Sequence, residues 1–124
     1  MAEVTAEKNE KIAEMNFGSI YPHYLNRIVK HGRTKQELDQ VIMWLTDYDQ
    51  DKLDSFIDGN GSFGDFFEGA RMHDNAHLIK GVVCGYRIED IDEEFWLYRD
   101  CRRMEKLIDE LAKGRKMEKI LREG

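Results

Sequence analysis

Apolar residues recur at helical spacing along most of the chain, in segments separated by glycine. The segment "IYPHYLNRIVKH", residues 20–31, predicts a helix with Pro22 near its start and Gly32 as a left-handed cap. A second helix is predicted to follow, because Thr34 and Glu37 match a capping box and the next apolar residues keep the i, i+3, i+4 spacing. These signals place two amphipathic helices in the first half of the chain.

The rest of the chain also shows helical spacing. Short helices are predicted around residues 53–57 and 63–67, the second with Ser62 as its N-cap. A longer helix is predicted to start at His73, and another near the segment "IEDIDEEF". No segment alternates apolar and polar residues for long enough to predict a sheet. The expected fold class is therefore all-α, a compact single-domain array of six or seven mostly short helices.

One domain is expected from a chain of 124 residues, which can bury roughly two thirds of the surface that its unfolded form exposes. Residues 1–10 are polar and predict an N-terminal extension, and residues 11–124 predict a single helical domain. The apolar faces of the helices predict the core. Its expected members are Ile20, Leu25, Ile28, Leu38, Val41, Ile42, Leu45, Phe56, Phe66, Leu78, Val82, Ile91, Leu107, Ile108 and Leu111.

Charge is distributed unevenly along the chain. The formal net charge is −6, but residues 51–100 carry five basic against twelve acidic side chains, and residues 101–124 carry eight against five. The acidic middle opposes binding to a nucleic acid backbone or an anionic membrane, so only the C-terminal segment favours such a partner. No apolar run is long enough to cross a bilayer or resembles a secretion signal, so we expect a cytoplasmic protein without membrane contact.

Two cysteines, Cys84 and Cys101, are too few for a disulfide framework. Free thiols are expected in a reducing compartment, where both residues act as small apolar side chains. Cys84 follows the apolar run "LIKGVV", so it is expected to be the more buried of the two.

A series of aspartates raises the question of a calcium loop. Asp47, Asp49 and Asp51 occupy ligand positions 1, 3 and 5 of an EF-hand loop, and Asp58 falls at position 12. Position 6 requires a glycine for the sharp turn, however, and Lys52 stands there. Helix capping explains the same residues, since aspartate favours the N-cap and the first turn of a helix. The first three aspartates are therefore weak candidates for a metal site.

A second weak metal candidate is the pair His73 and His77, which a helix would place on one face within reach of one ion. The glutamate of a zinc-protease motif does not stand between them, and Cys84 is a poor third ligand if it is buried. Exposed histidines near the start of a helix are the preferred interpretation.

The segment "GVVCGYRIEDI" has the glycine spacing of a helix-turn-helix. Its second helix would carry carboxylates, which repel phosphates, so the segment is not predicted to read DNA. These carboxylates are Glu89, Asp90, Asp92, Glu93 and Glu94.

No catalytic set, phosphate-binding loop or cofactor motif is recognisable, so the sequence assigns no catalytic residue and no cofactor, and an enzyme is the less favoured interpretation. The first hypothesis is a non-enzymatic protein-interaction module that binds a protein partner or associates with itself. It rests on the uneven charge and on a surplus of aromatic residues. The candidate contact residues are Trp44, Tyr48, Trp96, Arg102, Arg103, Lys113, Arg115 and Lys116.

Two alternatives remain open. The basic residues of the C-terminal segment provide phosphate contacts for nucleic acid binding, although the acidic middle makes a nucleic acid the less favoured partner. A metal-dependent enzyme or sensor would use His73 and His77, or the aspartates of residues 47–58.

Three long segments carry a family resemblance: "GRTKQELDQVIMWLT", "GVVCGYRIEDI" and "DELAKGRKMEKIL". Together they resemble a small bacterial family, the domain of unknown function 2200, from about residue 11 to the C-terminus. The resemblance implies a cytosolic, mostly helical bacterial protein, and it supplies no activity, cofactor or catalytic residue. It also implies that position 47 is often glycine and position 73 often asparagine followed by proline, which weakens both metal interpretations.

Overall fold

The computed structural model describes residues 3–122, and within them the chain is mostly α-helical, as predicted. The long helix α6 lies at the centre of the fold, where α1, α2, α3, α5 and α7 all contact it. The seven α-helices of this part of the chain are α1 (Ala6–Glu14), α2 (Phe17–Lys30), α3 (Lys35–Thr46), α4 (Gln50–Asp58), α5 (Phe63–Glu68), α6 (Trp96–Ala112) and α7 (Met117–Ile120). No helix among them combines the length and the apolar composition that crossing a membrane requires.

The helix ends of the first half follow from local sequence. Gly32 has a φ of 83° and ends α2, and the next backbone N–H, that of Arg33, donates to a carbonyl of the last helical turn at 3.0 Å. Thr34 and Glu37 form the predicted capping box at the start of α3. Ser62 caps α5 in the same way. These predictions are confirmed because each depends on a few neighbouring residues.

The start of α2 lies three residues earlier than predicted. Asn16 is its N-cap, and its side-chain oxygen accepts from the backbone N–H of Ser19 at 2.8 Å. Pro22 therefore lies inside the helix, where it leaves the carbonyl of Gly18 without the usual N–H donor. The extra turn brings Phe17 into the core, where it is fully buried.

The core is built around an aromatic cluster in which Phe17 is central. Its ring stacks on Phe66 at 4.2 Å between centroids and meets Tyr21, Phe56 and Phe63 at 5.4–6.3 Å. The cluster joins α2 to the short helices α4 and α5, so residues far apart in sequence share one apolar interior.

The prediction of helices between residues 73 and 95, and of no sheet, is wrong. Three short 3₁₀ turns (Ala76–Leu78, Ile88–Asp90 and Glu93–Phe95) replace the helices, and the strands β1 (Val82–Val83) and β2 (Tyr86–Arg87) form an antiparallel hairpin. The two residues between the strands have positive φ, which is the pattern of a type I′ turn and ends any helix. They are Cys84, with a φ of 52°, and Gly85, with a φ of 82°.

The hairpin also changes the expected burial. Leu78 and Val82 were predicted core residues, but they are 42% and 40% exposed because no helix turns them inward. The burial of the two cysteines is the reverse of the prediction. Cys101, on the inner face of α6, is buried, and Cys84 is exposed. Three predicted core residues pack half-buried against the core, namely Ile20, Leu25 and Phe56, and the remaining predicted core residues are buried.

Candidate functional site

A cleft with a volume of about 530 Å³ lies between the N-terminal segment and the residues that follow β1. We call it the acidic cleft. Its lining residues are Glu3, Val4, Tyr86, Arg87, Asp90, Ile91, Asp92 and Phe95. Four of them are apolar or aromatic and three are carboxylates, so the cleft combines an apolar floor with an acidic rim.

The apolar floor belongs to a small cluster that is separate from the main core. Three buried residues form this cluster: Tyr86 of β2, Tyr98 of α6, and Ile91 from the segment between them. Val4 and Phe95 pack at its edge. The hairpin turn sets the direction of β2 and so brings Tyr86 opposite the start of α6. The Tyr86 and Tyr98 rings meet edge to face, with centroids 5.2 Å apart.

The N-terminal segment closes one side of the cleft because α1 is anchored to α6. The side-chain oxygen of Asn9 accepts from the backbone N–H of Tyr98 at 3.1 Å. It thereby supplies a cap that α6 lacks, since Phe95 at the N-cap position provides no side-chain acceptor. The ammonium of Lys8 lies 5.4 Å from the centre of the Tyr86 ring. The predicted boundary after residue 10 thus falls inside α1.

Arg102 of α6 packs against the rings of both tyrosines. Its guanidinium lies 5.1 Å from the Tyr86 ring and 4.7 Å from the Tyr98 ring, and it donates to the Tyr98 hydroxyl at 2.6 Å. Burial and the hydrogen bond to Tyr86 raise the pKa of Tyr98 to about 12. The hydrogen bonds from Tyr98 and from Lys8 lower the pKa of Tyr86. The Tyr98 hydroxyl therefore stays protonated at neutral pH while it accepts the hydrogen bond from Arg102.

The rim carries exposed carboxylates, and salt bridges within residues 3–122 neutralise only part of their charge. Within residues 3–122, Glu3, Asp92 and Glu94 form no salt bridge, and the Asp90 carboxylate is 74% exposed and 4.0 Å from Arg87. The neighbouring Glu93 differs, because its hydrogen bond and ion pair with an arginine of α6 lower its pKa. The side chain of Asp92 accepts from the backbone N–H of Glu94 at 2.9 Å, which fixes its position on the rim.

A second, smaller cleft of about 190 Å³ contains the predicted candidates Trp44, Asp47 and His73. The Trp44 and His73 rings stack with centroids 4.1 Å apart, and Nδ1 of His73 accepts from the backbone N–H of Asn75 at 3.0 Å. His77 lies in a 3₁₀ turn with its Nδ1 2.9 Å from the Asp74 carbonyl oxygen. The histidine pair therefore does not share one face of an α-helix, which the weak metal hypothesis required. The preferred interpretation of exposed histidines near a helix start is right in exposure only for His77, since His73 is half-buried.

The aspartate series lies at helix ends. Asp47 ends α3 in the left-handed conformation, with a φ of 61°, Asp49 is the N-cap of α4, and Asp51 lies in its first turn. Glycine adopts the conformation of Asp47 at no steric cost, which gives a physical reason for glycine at this position. Over residues 3–122, no three His, Cys, Asp or Glu side chains are close enough together to hold a metal ion.

The aromatic candidates from the sequence do not form one patch. Trp44 is half-buried in the smaller cleft, and the half-buried Tyr48 donates its hydroxyl to the carbonyl of Phe66. Trp96, at the start of α6, is 37% exposed. The surplus of aromatic residues is thus mainly a feature of packing.

The basic candidates fall into two groups. Arg102 and Arg103 are half-buried: Arg102 pairs with Glu105, and Arg103 donates to Asp100 at 3.1 Å. The others are exposed beyond α6, where the guanidinium of Arg33 donates to the carbonyl of Arg115 at 2.8 Å and joins the ends of α2 and α6. We call this surface the basic end; its cations are Arg33, Lys113, Arg115, Lys116 and Lys119.

Both thiols lie near one carboxylate of α6. The Cys84 sulfur is 3.4 Å and the Cys101 sulfur 4.0 Å from oxygens of Glu105. Burial and the negative charge of Glu105 raise the pKa of both thiols. Neither cysteine is therefore activated as a nucleophile.

We expect iodoacetamide to modify Cys84 alone in the native protein, and more slowly at pH 8 than it modifies free cysteine. A raised pKa lowers the thiolate fraction at that pH, and Cys101 has no access to the reagent until the chain unfolds. Glu105→Gln should accelerate the reaction, because it removes a negative charge beside the thiol. Mass spectrometry of timed samples measures the rates; equal labelling of both cysteines in the native state would contradict this geometry.

Comparison with known proteins gives the family but no activity. The chain belongs to the family described as an uncharacterized protein conserved in bacteria, DUF2200, whose model matches residues 11–122. Its fold is similar to the crystal structure of an uncharacterized protein, SP1917, with a TM-score of 0.83 and 33% sequence identity over 90% of this chain and 91% of the other. No curated protein matches the sequence.

Proposed function

We propose that this protein is a non-enzymatic, cytoplasmic protein-interaction module that binds a basic segment of a protein partner in the acidic cleft. The observation that carries the proposal is the apolar floor of the cleft beside the exposed carboxylates of Glu3, Asp90 and Asp92. Such a surface is complementary to a segment in which lysine or arginine residues alternate with apolar side chains.

The two features of the cleft contribute differently to binding. Contact with Val4, Ile91 and Phe95 removes apolar surface from water and supplies affinity. The charges of Glu3 and Asp90 select basic segments and speed their encounter, since complementary charge acts mainly on specificity and association rate. Acidic segments are repelled by the same rim, so the charge also excludes partners.

A non-enzymatic role is supported by what the polar groups around the cleft already do. Asp92 caps a 3₁₀ turn, Arg87 lies 3.5 Å from the Glu89 carboxylate, and the Tyr98 hydroxyl binds Arg102. These groups are held in structural contacts, whereas the exposed carboxylates of the rim are placed to meet charge on another molecule.

The proposal predicts that Asp90→Lys weakens binding of a synthetic peptide of alternating lysine and leucine by about tenfold or more at low salt. The substitution puts repulsion where the native rim attracts, and Asp90 caps no helix. Isothermal titration calorimetry measures the dissociation constant. Fluorescence anisotropy of the labelled peptide gives an independent value.

The matched control is Asp58→Lys, which changes the net charge equally at the exposed end of α4. It should leave the dissociation constant within about twofold, since screened charges distant from the contact act weakly. Equal weakening by both substitutions, or no binding of the peptide to the native chain, would overturn the proposal.

A further inference from the structure

We propose that the basic segment that docks in the acidic cleft belongs to a second copy of this chain and is its basic end. This inference rests on the proposed function and names the partner. It predicts head-to-tail association, in which one protomer offers its acidic cleft and the next offers the surface around Lys116 and Lys119.

The two surfaces lie at opposite ends of the same helix. The acidic rim includes Asp92 just before α6, and the basic end follows Ala112 where α6 stops. A helix of 17 residues at 1.5 Å per residue is about 25 Å long, so the two surfaces cannot neutralise each other within one molecule. Their charges meet only between molecules.

Helix polarity accounts for only part of this separation. Acidic groups before α6 and basic groups after it are favoured by the helix dipole, which acts within the first and last turns. Glu3, from the N-terminal segment, adds to the acidic side. Arg33, from the loop after α2, joins the ends of α2 and α6 through the Arg115 carbonyl, and its own charge is paired with Glu37 at 2.9 Å. The acidic surface is thus reinforced by a separate part of the chain.

The free charges on the two surfaces are complementary. Lys116 and Lys119 are exposed and take part in no salt bridge within residues 3–122, as is the case for Glu3 and Asp92 on the rim. The exposed Glu118 between the two lysines offsets part of their charge. By contrast, Lys113 lies 3.0 Å from Asp109 and Arg115 lies 3.0 Å from Glu110. The paired cations hold the basic end in place, and the free cations are available to a partner.

An acidic protein surface fits the basic end better than a nucleic acid. Arg102 and Arg103, which would extend the row of phosphate contacts along α6, are committed to Glu105 and Asp100. The remaining cations form a short patch rather than a continuous basic stripe, and the net charge of −6 repels a long polyanion.

Because the two surfaces differ, the contact is heterologous and its repetition gives a ring or an open chain. Sedimentation velocity of the purified full chain at an ionic strength of about 0.05 M, and at up to about 1 mM protein, measures the association. The native chain should sediment faster as its concentration rises. Glu3→Lys/Asp90→Lys and Lys116→Glu/Lys119→Glu should each remain monomeric alone and should associate when they are mixed.

Matched controls separate local charge from net charge. Glu3→Lys/Asp90→Lys and Asp58→Lys/Glu68→Lys each take the net charge from −6 to −2, because two substitutions add two units each. Only the first pair should abolish association. Likewise, the control variant Lys11→Glu/Lys80→Glu has the same net charge, −10, as Lys116→Glu/Lys119→Glu. It should associate more strongly than that variant does. Far-ultraviolet circular dichroism confirms that each variant is folded.

A native chain that stays monomeric over this range overturns the inference, as does a mixture of the two monomeric variants that fails to associate. Either result leaves the proposed function standing if the lysine–leucine peptide still binds to the cleft and Asp90→Lys still weakens it. Loss of both self-association and peptide binding would overturn both proposals.

Discussion

Replacing Phe17 with alanine is expected to lower the free energy of unfolding by about 3–5 kcal/mol. The Phe17 ring is fully buried, and it stacks on Phe66 at the centre of the aromatic cluster. Removing it loses the transfer energy of the ring and leaves a cavity that rigid neighbours from three helices cannot fill. Total stabilities of small domains are about 5–15 kcal/mol, so the loss is a large fraction of the whole.

Urea titration followed by circular dichroism measures this change, provided that the slope with urea stays constant. The matched control is Val29→Ala on the same helix, where the side chain is 54% exposed and the expected change is within about 0.5 kcal/mol. A loss below about 1 kcal/mol for Phe17→Ala would show that the residue is not at the centre of the core.

Replacing Asp39 with alanine is expected to cost about 2–4 kcal/mol. Its carboxylate is 2% exposed and accepts from the Tyr21 hydroxyl of α2, from the Lys35 ammonium at 2.6 Å and from the Gln50 amide of α4 at 3.1 Å. Burial and the charge and hydrogen bond of Asp39 raise the pKa of Tyr21, so its hydroxyl remains a donor. Without the carboxylate, this buried hydroxyl has no acceptor.

A double-mutant cycle with Tyr21→Phe isolates this contact. Tyr21→Phe should cost about 1–2 kcal/mol in the native background and much less when Asp39 is already alanine, because the hydrogen bond is then absent. Gln40→Ala, at an exposed site on α3, is the control for helix composition and should change stability little. Additive costs for the two substitutions would contradict the hydrogen bond.

The sequence predicted well those parts of the fold that depend on neighbouring residues. The capping box of Thr34 and Glu37, the cap at Ser62 and the stop at Gly32 are each determined within a few positions. The all-α class followed from apolar spacing summed over many residues, so an error in one segment did not change it. The family assignment also depended on long segments of sequence and is confirmed.

The segment from residue 73 to residue 95 could not be predicted in the same way. An apolar run as short as "LIKGVVC" fits a buried helix turn and a buried strand equally well. Strands of two residues are too short to show alternation, and the turn at Cys84 and Gly85 lacks the asparagine or aspartate that usually marks a type I′ hairpin. Tertiary contacts with α6 determine the conformation of this segment instead.

The sequence indicated the acidic cleft only through its acidic residues. The carboxylates near Asp90 indicated a surface that repels nucleic acid, but they gave no sign of the apolar floor behind them. That floor combines Val4, Tyr86, Ile91 and Phe95, which come from separate short segments brought together by the hairpin and by the anchoring of α1 on α6. Sequence periodicity cannot detect a surface assembled in this way.

The most direct test of the binding site is a map of backbone amide shifts in the nitrogen-15-labelled native chain as the lysine–leucine peptide is added. If the peptide binds in the acidic cleft, the largest shifts should cluster at Val4, Tyr86, Ile91 and Phe95, with little change at Trp44 and His73 in the smaller cleft. Shifts centred on the smaller cleft, or spread evenly over the acidic surface, would contradict the claim that the acidic cleft is the binding site.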